Sequence, residues 1–514
     1  MADAPRKGSF LFKLGIALAA ASAADWLFAF QRVGSTLGFF ALALLALAAA
    51  ASPAARGRPA SRVALAAAAL FALLLVADPG PLALLLYWTA LTLAMLLPRT
   101  ARFDDGWRWA RRLVLHGLFS PFGLARDVLI AARARRRRGP EGLHRKALVL
   151  VLPLAGTIVF ILLFAAANPV IDAALASIDL SPRLSEESLA QIVFWMFVIV
   201  MVWTLVRPPR VRLGPAGAGM DPDFALPGVS PASVLLSLAA FNLLFALQNG
   251  LDLAFLWSGA GLPHGMTLAE YAHRGAYPLI ATALLAGLFV LVTLRPGSAT
   301  AASRPIRLLV TLWIAQNLLL VASTMLRTFD YIEAYSLTEL RIAALIWMGL
   351  VAIGLMLICT RLLRGKSGAW LVNANMAAAL LALTAGAAVD LGGIAAGWNV
   401  RHAREAGGRG ASLDLCYLRA LGPSALLHLI ELEGRPLPTE LRERVAWLRS
   451  RAMTDLAARQ ADWHGWTWQG ARRLAAAAAL VEANRLPNIG GNRLCDGRPI
   501  PPPPAEPLTS PAAE

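Results

Sequence analysis

The sequence predicts an all-α fold: a polytopic transmembrane helix bundle of about eleven spans with a small C-terminal helical domain. Three observations predict it. The 514 residues are 58% hydrophobic and only 15% charged, apolar stretches recur through the first 390 positions, and basic residues crowd alternate connections between them. A soluble chain of this length would divide into roughly three domains, but it would not carry so little charge. The composition also excludes a disordered chain, and three cysteines are too few for a disulfide scaffold.

An apolar run of about 20 residues crosses the hydrocarbon core as a helix, because each residue rises about 1.5 Å and the core is about 30 Å thick. The runs are 11–29, 33–52, 63–77, 82–97, 147–167, 189–206, 234–251, 276–294, 308–325, 342–359 and 371–390. The first follows Arg6 and Lys7 and contains the small residues Ala21, Ser22 and Ala23, as a secretory leader would. It continues through Asp25, Trp26 and Phe28 towards the second run, so it is read as an uncleaved helix. The third and fourth runs are separated by Asp78, Pro79, Gly80 and Pro81 and form a helical hairpin. The last run holds Asn373, Asn375 and Asp390, and its crossing decides the side of everything that follows.

Lys and Arg near the spans stay cytoplasmic during insertion. With the N-terminus inside, Lys7, Arg56, Arg58, Arg62, the arginine-dense segment 98–146, Arg207, Arg304 and Arg364 all fall on the cytoplasmic side. The expectation is a bacterial inner-membrane protein with a cytoplasmic N-terminus and an exoplasmic C-terminal domain. Its regions are four spans over 1–97, a basic amphipathic cytoplasmic segment over 98–146, seven spans over 147–390, a helical extramembrane domain over 391–499 and a Pro-rich disordered tail over 500–514. Most of the net charge of +17 then faces the anionic inner leaflet, which makes nucleic acid an unneeded partner.

Within 98–146, Trp107 and Trp109 sit beside Arg108, Arg111 and Arg112 before a break at Pro121. Aromatics next to arginines at helical spacing suit a helix lying in the headgroup region of the inner leaflet. The plainer alternative is a packed loop whose arginines only enforce topology.

In the C-terminal region Gly407, Gly408 and Gly410 read as a linker, followed by helices over Leu413–Leu421 and on to Leu432. Thr439 reads as the N-cap of a longer helix to about Arg459, and an Ala-rich helix follows Trp468. Cys416 and Cys495 share this region and are left open as a bridge or two free thiols, whereas Cys359 reads as a small buried residue inside a span.

No motif for catalysis, metal or cofactor is present: there is no phosphate-binding glycine loop, no His-Glu-x-x-His and no Cys pair at zinc spacing. The glycines at 214, 217 and 219 lie among prolines and read as a loop, and His428 reads as a satisfied core residue. The one constellation above background is Arg327, Asp330, Tyr331, Glu333, Tyr335, Thr338, Glu339 and Arg341. In a helix Arg327, Tyr331 and Tyr335 share a face at i, i+4 and i+8, with Thr338 and Arg341 nearby. Two arginines with two phenols form a contact surface for an anion or sugar. The alternative is an interfacial belt of tyrosines and snorkelling arginines.

The run Arg327-x-x-x-Tyr331-x-x-x-Tyr335-Ser336-Leu337-Thr338-x-x-Arg341, with Trp347, Asn399-x-Arg401 and Leu413-Asp414-Leu415-Cys416-Tyr417-Leu418, resembles the signature of a bacterial multi-spanning membrane family. That family is domain of unknown function 4173, related to 4153. Ser336 stands where the resemblance implies glycine, which puts a special backbone conformation there in question. The resemblance implies a membrane protein and no particular activity. Three functions are carried forward: an envelope protein that binds, senses or scaffolds at its exoplasmic face through a lipid, glycan or protein partner; a transporter or flippase for lipid or neutral cargo; and a membrane transferase acting on a lipid-linked substrate.

Overall fold

The computed structural model describes residues 8–100, 105–136, 186–207, 230–254 and 299–500, with a few single positions besides. It divides into two compact units, one of residues 1–104 with 108–214 and one of 105–107 with 215–514. Among the described residues every regular element is helical.

The first unit contains α1 (Gly8–Phe28), α2 (Thr36–Ala51), α3 (Pro53–Gly57), α4 (Pro59–Ala77), α5 (Pro81–Leu96), most of α6 (Gly106–Phe119), α7 (Pro121–Arg136) and α8 (Glu186–Val206). Pro53, Pro59, Pro81 and Pro121 each open a helix, where the missing N–H costs nothing because the first turn has no acceptor for it. α4 and α5 form the expected hairpin. Helix α2 packs on α4 through Gly38, where a Cβ would lie 2.2 Å from the backbone nitrogen of Val76. The Tyr87 hydroxyl donates to the Ala41 carbonyl at 2.7 Å and ties α5 to α2. Helices α1 and α8 run antiparallel, with Lys13 Nζ donating to the Val206 carbonyl at 3.1 Å and Gln191 Nε2 donating to Asp25 at 2.9 Å. A cation on the last carbonyls of α8 also complements the negative end of its dipole.

The second unit holds α9 (Pro231–Asp252), α10 (Ala299–Ala302), α11 (Arg304–Tyr335), α12 (Glu339–Arg364), α13 (Gly368–Ala388), α14 (Leu391–His402), α15 (Leu415–Ala420), α16 (Leu426–Glu433), α17 (Thr439–Ala461) and α18 (Trp468–Ala483). A capping box at Ser230 and Ser233 starts α9. Helices α9 and α11 run parallel: Asn242 Nδ2 donates to the Leu309 carbonyl at 3.0 Å, and Asn249 Nδ2 to the Gln316 carbonyl at 3.1 Å. A seven-residue spacing puts both asparagines on one face of α9. Around this seam Leu238, Val310, Trp313 and Leu355 form the apolar core, with Phe241 stacked on Trp313 at 5.2 Å. Helix α11 is 32 residues long. At about 1.5 Å per residue it exceeds a core of about 30 Å by several turns.

By length and composition, seven described helices suffice to cross a membrane: α4, α5 with the turn after it, α8, α9, α11, α12 and α13. These correspond to seven of the eleven expected spans. The expected spans 147–167 and 276–294 lie outside the described residues, α2 is shorter at 16 residues, and α1 is a 21-residue helix outside the seven. Helices α6 and α7 meet at a bend of 61° around Pro121 and make an eighth candidate if counted as one broken span.

Two local expectations are corrected. Gly407, Gly408 and Gly410 are a tight turn rather than a linker: Gly408 N donates to Ala403 O at 2.9 Å and Gly410 N to His402 O at 2.8 Å. A Cβ at Gly408 would lie 2.3 Å from the His402 carbonyl oxygen, which is why glycine stands there. Thr439 is the first residue of α17, after Pro438, and makes no side-chain cap. The Pro-rich tail lies outside the described residues.

Candidate functional site

Tyr331, Tyr335, Thr338 and Arg341 of the signature, with Asn399 and Tyr417, converge on the turn between α11 and α12. Helix α11 ends at Tyr335, and Ser336 takes φ +71 and ψ 164 before Thr338 caps α12 by accepting from Arg341 N at 3.3 Å. That backbone region is nearly restricted to glycine, because a Cβ there crowds the neighbouring carbonyl. The special conformation is therefore present although the residue is serine.

Side chains from three directions hold the turn. Asn399 of α14, itself buried, accepts from Leu337 N at 2.6 Å and donates to Leu337 O at 2.9 Å, satisfying both backbone groups of one buried residue. The Tyr417 hydroxyl of α15 accepts from Glu339 N at 3.0 Å. Burial pushes the Tyr417 phenol up from its ordinary range, so it remains a neutral hydroxyl. Arg341 lays its guanidinium over the Tyr331 ring at 4.2 Å and donates to the carbonyls of Tyr335, at 2.6 Å, and Ser336. Carbonyls at a helix end lack intrahelical donors, and a cation there supplies them. The Tyr331 and Tyr335 rings lie 5.0 Å apart, and Ile332, Leu337 and Ala395 close the apolar floor.

The structure thus gathers Tyr331, Tyr335, Thr338 and Arg341 as one cluster, but Arg327 has a different position. It is buried, with its guanidinium on Asp252 of α9, and Gln248 Nε2 also donates to that carboxylate at 3.1 Å. An arginine about two turns short of the helix end is covered by the neighbouring helix, and a carboxylate there stabilises its charge. The expectation that Arg327 joins an open surface with Arg341 is corrected on this ground.

The same junction reaches the rest of the helical domain. Asp390 caps α14 by accepting from Gly393 N at 2.9 Å, and it receives Ser424 Oγ at 2.8 Å and Arg473 at 2.6 Å. Asp414 caps α15 on Tyr417 N at 2.9 Å, and a disulfide joins the adjacent Cys416 to Cys495. Buried Glu433 of α16 and Arg449 of α17 pair at 2.6 Å. Burial raises the Glu431 carboxyl, but hydrogen bonds from His428 and the guanidinium groups of Arg435 and Arg401 outweigh it and hold it below the usual range. Asn399 and Tyr417 carry the turn, and reading residues by charge alone passes over both. The sequence signal for them is their place in the wider signature.

The basic segment is divided. Trp107 is exposed, whereas Trp109 is buried with the Arg112 guanidinium 4.7 Å above its ring. The two tryptophans are two residues apart, which on a helix turns them to different faces. Arg108 and Arg111 share the segment's first helix, α6. Helix α7 is tied to α8 through buried Asp127, which accepts from Trp203 Nε1 at 3.3 Å and pairs with Arg207 at 3.2 Å. Among the described residues no group of His, Cys, Asp or Glu is arranged to hold a metal ion.

Residues 64–432 match the model of the family described as Domain of unknown function (DUF4153). No curated protein and no solved structure matches the chain.

Proposed function

This chain belongs to the family of Domain of unknown function (DUF4153), and from that premise we propose that it is a bacterial inner-membrane protein that binds, senses or scaffolds at its exoplasmic face. In this reading about eleven spans cross the bilayer, the N-terminus and segment 98–146 face the anionic inner leaflet, and the domain from 391 onward is exoplasmic. The kinship with family 4173 belongs to the same proposal. The observation that carries it is the clamp on Leu337 and Glu339 by Asn399 and Tyr417. A turn whose backbone is bonded by the extramembrane domain moves when that domain moves, and α11 and α12 carry the displacement through the bundle. The signature is thereby a mechanical junction, and the partner surface lies on the helical domain beyond it.

Asn399→Ala and Tyr417→Phe test this in a deletion strain of the source organism. Both variants are expected at wild-type abundance in the membrane with loss of complementation. Full complementation by both, or a fall in abundance that tracks the loss of complementation, overturns the reading.

One observation favours a second reading, a transporter or flippase. Among the described residues, buried Asn242, Asn249 and Asn317 each leave a side-chain oxygen without a hydrogen-bond donor, as do Asp252 and Gln316. Unsatisfied acceptors are costly in a bilayer unless water or cargo meets them. The transferase reading rests on Asp330 and Glu333 by location alone.

A further inference from the structure

The C-terminal helical domain contains a cavity of about 240 Å³ between α15, the 3-10 turn Gly422–Ala425, α16 and α17. Its floor is apolar, formed by Leu418, Leu429 and Leu448 with the Trp447 ring. Its rim is basic. Arg451, Asp455 and Arg459 follow at i, i+4 and i+8 along one face of α17, and Arg419 of α15 closes the opposite side with its guanidinium 5.3 Å above the Trp447 ring. Three arginines against one aspartate leave two positive charges at the mouth. The Arg451–Asp455 pair, at 3.1 Å, has both side chains more than half exposed. Such a pair is worth at most about 1 kcal/mol, so a stronger anion displaces Asp455 readily. Arg459 Nε donates to Gly465 O at 3.3 Å, which holds that side chain along the rim.

We propose that this cleft binds a phosphomonoester, with the phosphate on the guanidinium groups of Arg419 and Arg451 and the adjoining carbons on the leucine floor. The charge matches: a phosphomonoester carries about −1.5 to −2 at neutral pH, against two net positive charges at the rim. Guanidinium forks bind phosphate oxygens in pairs, which an ammonium cannot do. The volume is below the roughly 300–1,000 Å³ of sites that enclose a drug-sized ligand, so it accepts a headgroup and a few carbons. The inference rests on the sensing reading and supplies its input. Helix α15 presents Arg419 to the cleft and Tyr417 to the turn between α11 and α12 within three residues, and the 3-10 turn lends Gly422 and Pro423 to the cleft and Ser424 to Asp390. Occupying the cleft therefore loads α15, which bonds the turn through Tyr417, and the 3-10 turn that bonds the N-cap of α14, the helix carrying Asn399.

The test uses the full chain in phosphatidylcholine nanodiscs. Glycerol 3-phosphate is titrated by calorimetry, and discs doped with phosphatidic acid or phosphatidylglycerol are compared by native mass spectrometry. One saturable site per chain is expected for a monoester probe. Saturation by glycerol 3-phosphate identifies a soluble ester, and retention of phosphatidic acid alone identifies a lipid headgroup. Affinity should fall at least tenfold in the double variant Arg419→Gln with Arg451→Gln, and rise severalfold in Asp455→Asn, a gain that misfolding cannot produce. No saturable binding of either monoester, equal retention of phosphatidylglycerol, or indifference to both sets of substitutions overturns the proposal. Complementation by Asn399→Ala and Tyr417→Phe is read separately, so an empty cleft with a functional junction leaves the sensing reading standing.

Discussion

Replacing Asn399 by alanine removes both hydrogen bonds that hold Leu337, the one its N–H donates at 2.6 Å and the one its carbonyl accepts at 2.9 Å. Leu337 is buried among Ile332 and Ala395, so neither group has water waiting for it. A stranded buried backbone group costs about 1–3 kcal/mol, so the two together cost about 2–6 kcal/mol. The loss is local, because the turn opens before the bundle does. At about 1.4 kcal/mol per factor of ten, the lower bound corresponds to roughly a 25-fold faster hydrogen exchange. The assay is exchange mass spectrometry on the peptide spanning Leu337 to Ile342, which includes the Glu339 and Arg341 amides. Asn399→Leu is the companion variant, because leucine fills the same volume without the donor and acceptor. Exchange within threefold of wild type in the alanine variant, or rescue by leucine, would refute the hydrogen-bond argument and leave packing as what holds the turn.

Ser336→Gly should stabilise the same turn, since holding a side chain in that backbone region costs about 1–3 kcal/mol and glycine's extra unfolded-state entropy offsets about 0.5–1; slower exchange of the peptide checks it, and faster exchange contradicts it. Asp252→Leu or Arg327→Met alone should cost about 3–5 kcal/mol by leaving one buried charge, while the double variant should recover most of the loss. Thermal unfolding in detergent checks this, and additive losses would mean the two groups do not act as a pair. The disulfide closes a loop of 79 residues, so Cys416→Ala with Cys495→Ala should destabilise the helical domain by about 4–5 kcal/mol in the chain-entropy account; a midpoint indifferent to these changes counts against it. Glu431 is held low, so its contribution is present above the ordinary carboxyl range and is lost as pH falls through its depressed value. Glu431→Gln should therefore flatten the acid side of the domain's stability profile, and an unchanged profile would remove the cluster from the account.

The helical class and seven helices long and apolar enough to cross a membrane were legible in the sequence by itself, because a bilayer imposes length and apolarity on each helix separately. The helix at 371–390, the hairpin around Pro79 and Gly80, and the membership of Tyr331, Tyr335 and Arg341 in one cluster follow from local spacing of that kind. What only the tertiary structure decided depends on partners far along the chain. Arg327 and Arg341 look alike in the motif, yet Asp252, 75 residues earlier, draws Arg327 into the bundle, while the carbonyls of the same turn hold Arg341. Trp109 looks like Trp107, yet one is buried and the other exposed. Ser336 adopts a glycine-like backbone in a turn where Asn399 and Tyr417 bond Leu337 and Glu339 from 62 and 78 residues away. Hydropathy is a property of a segment, whereas the burial of a charge or the strain of one residue is set by the surfaces that meet there.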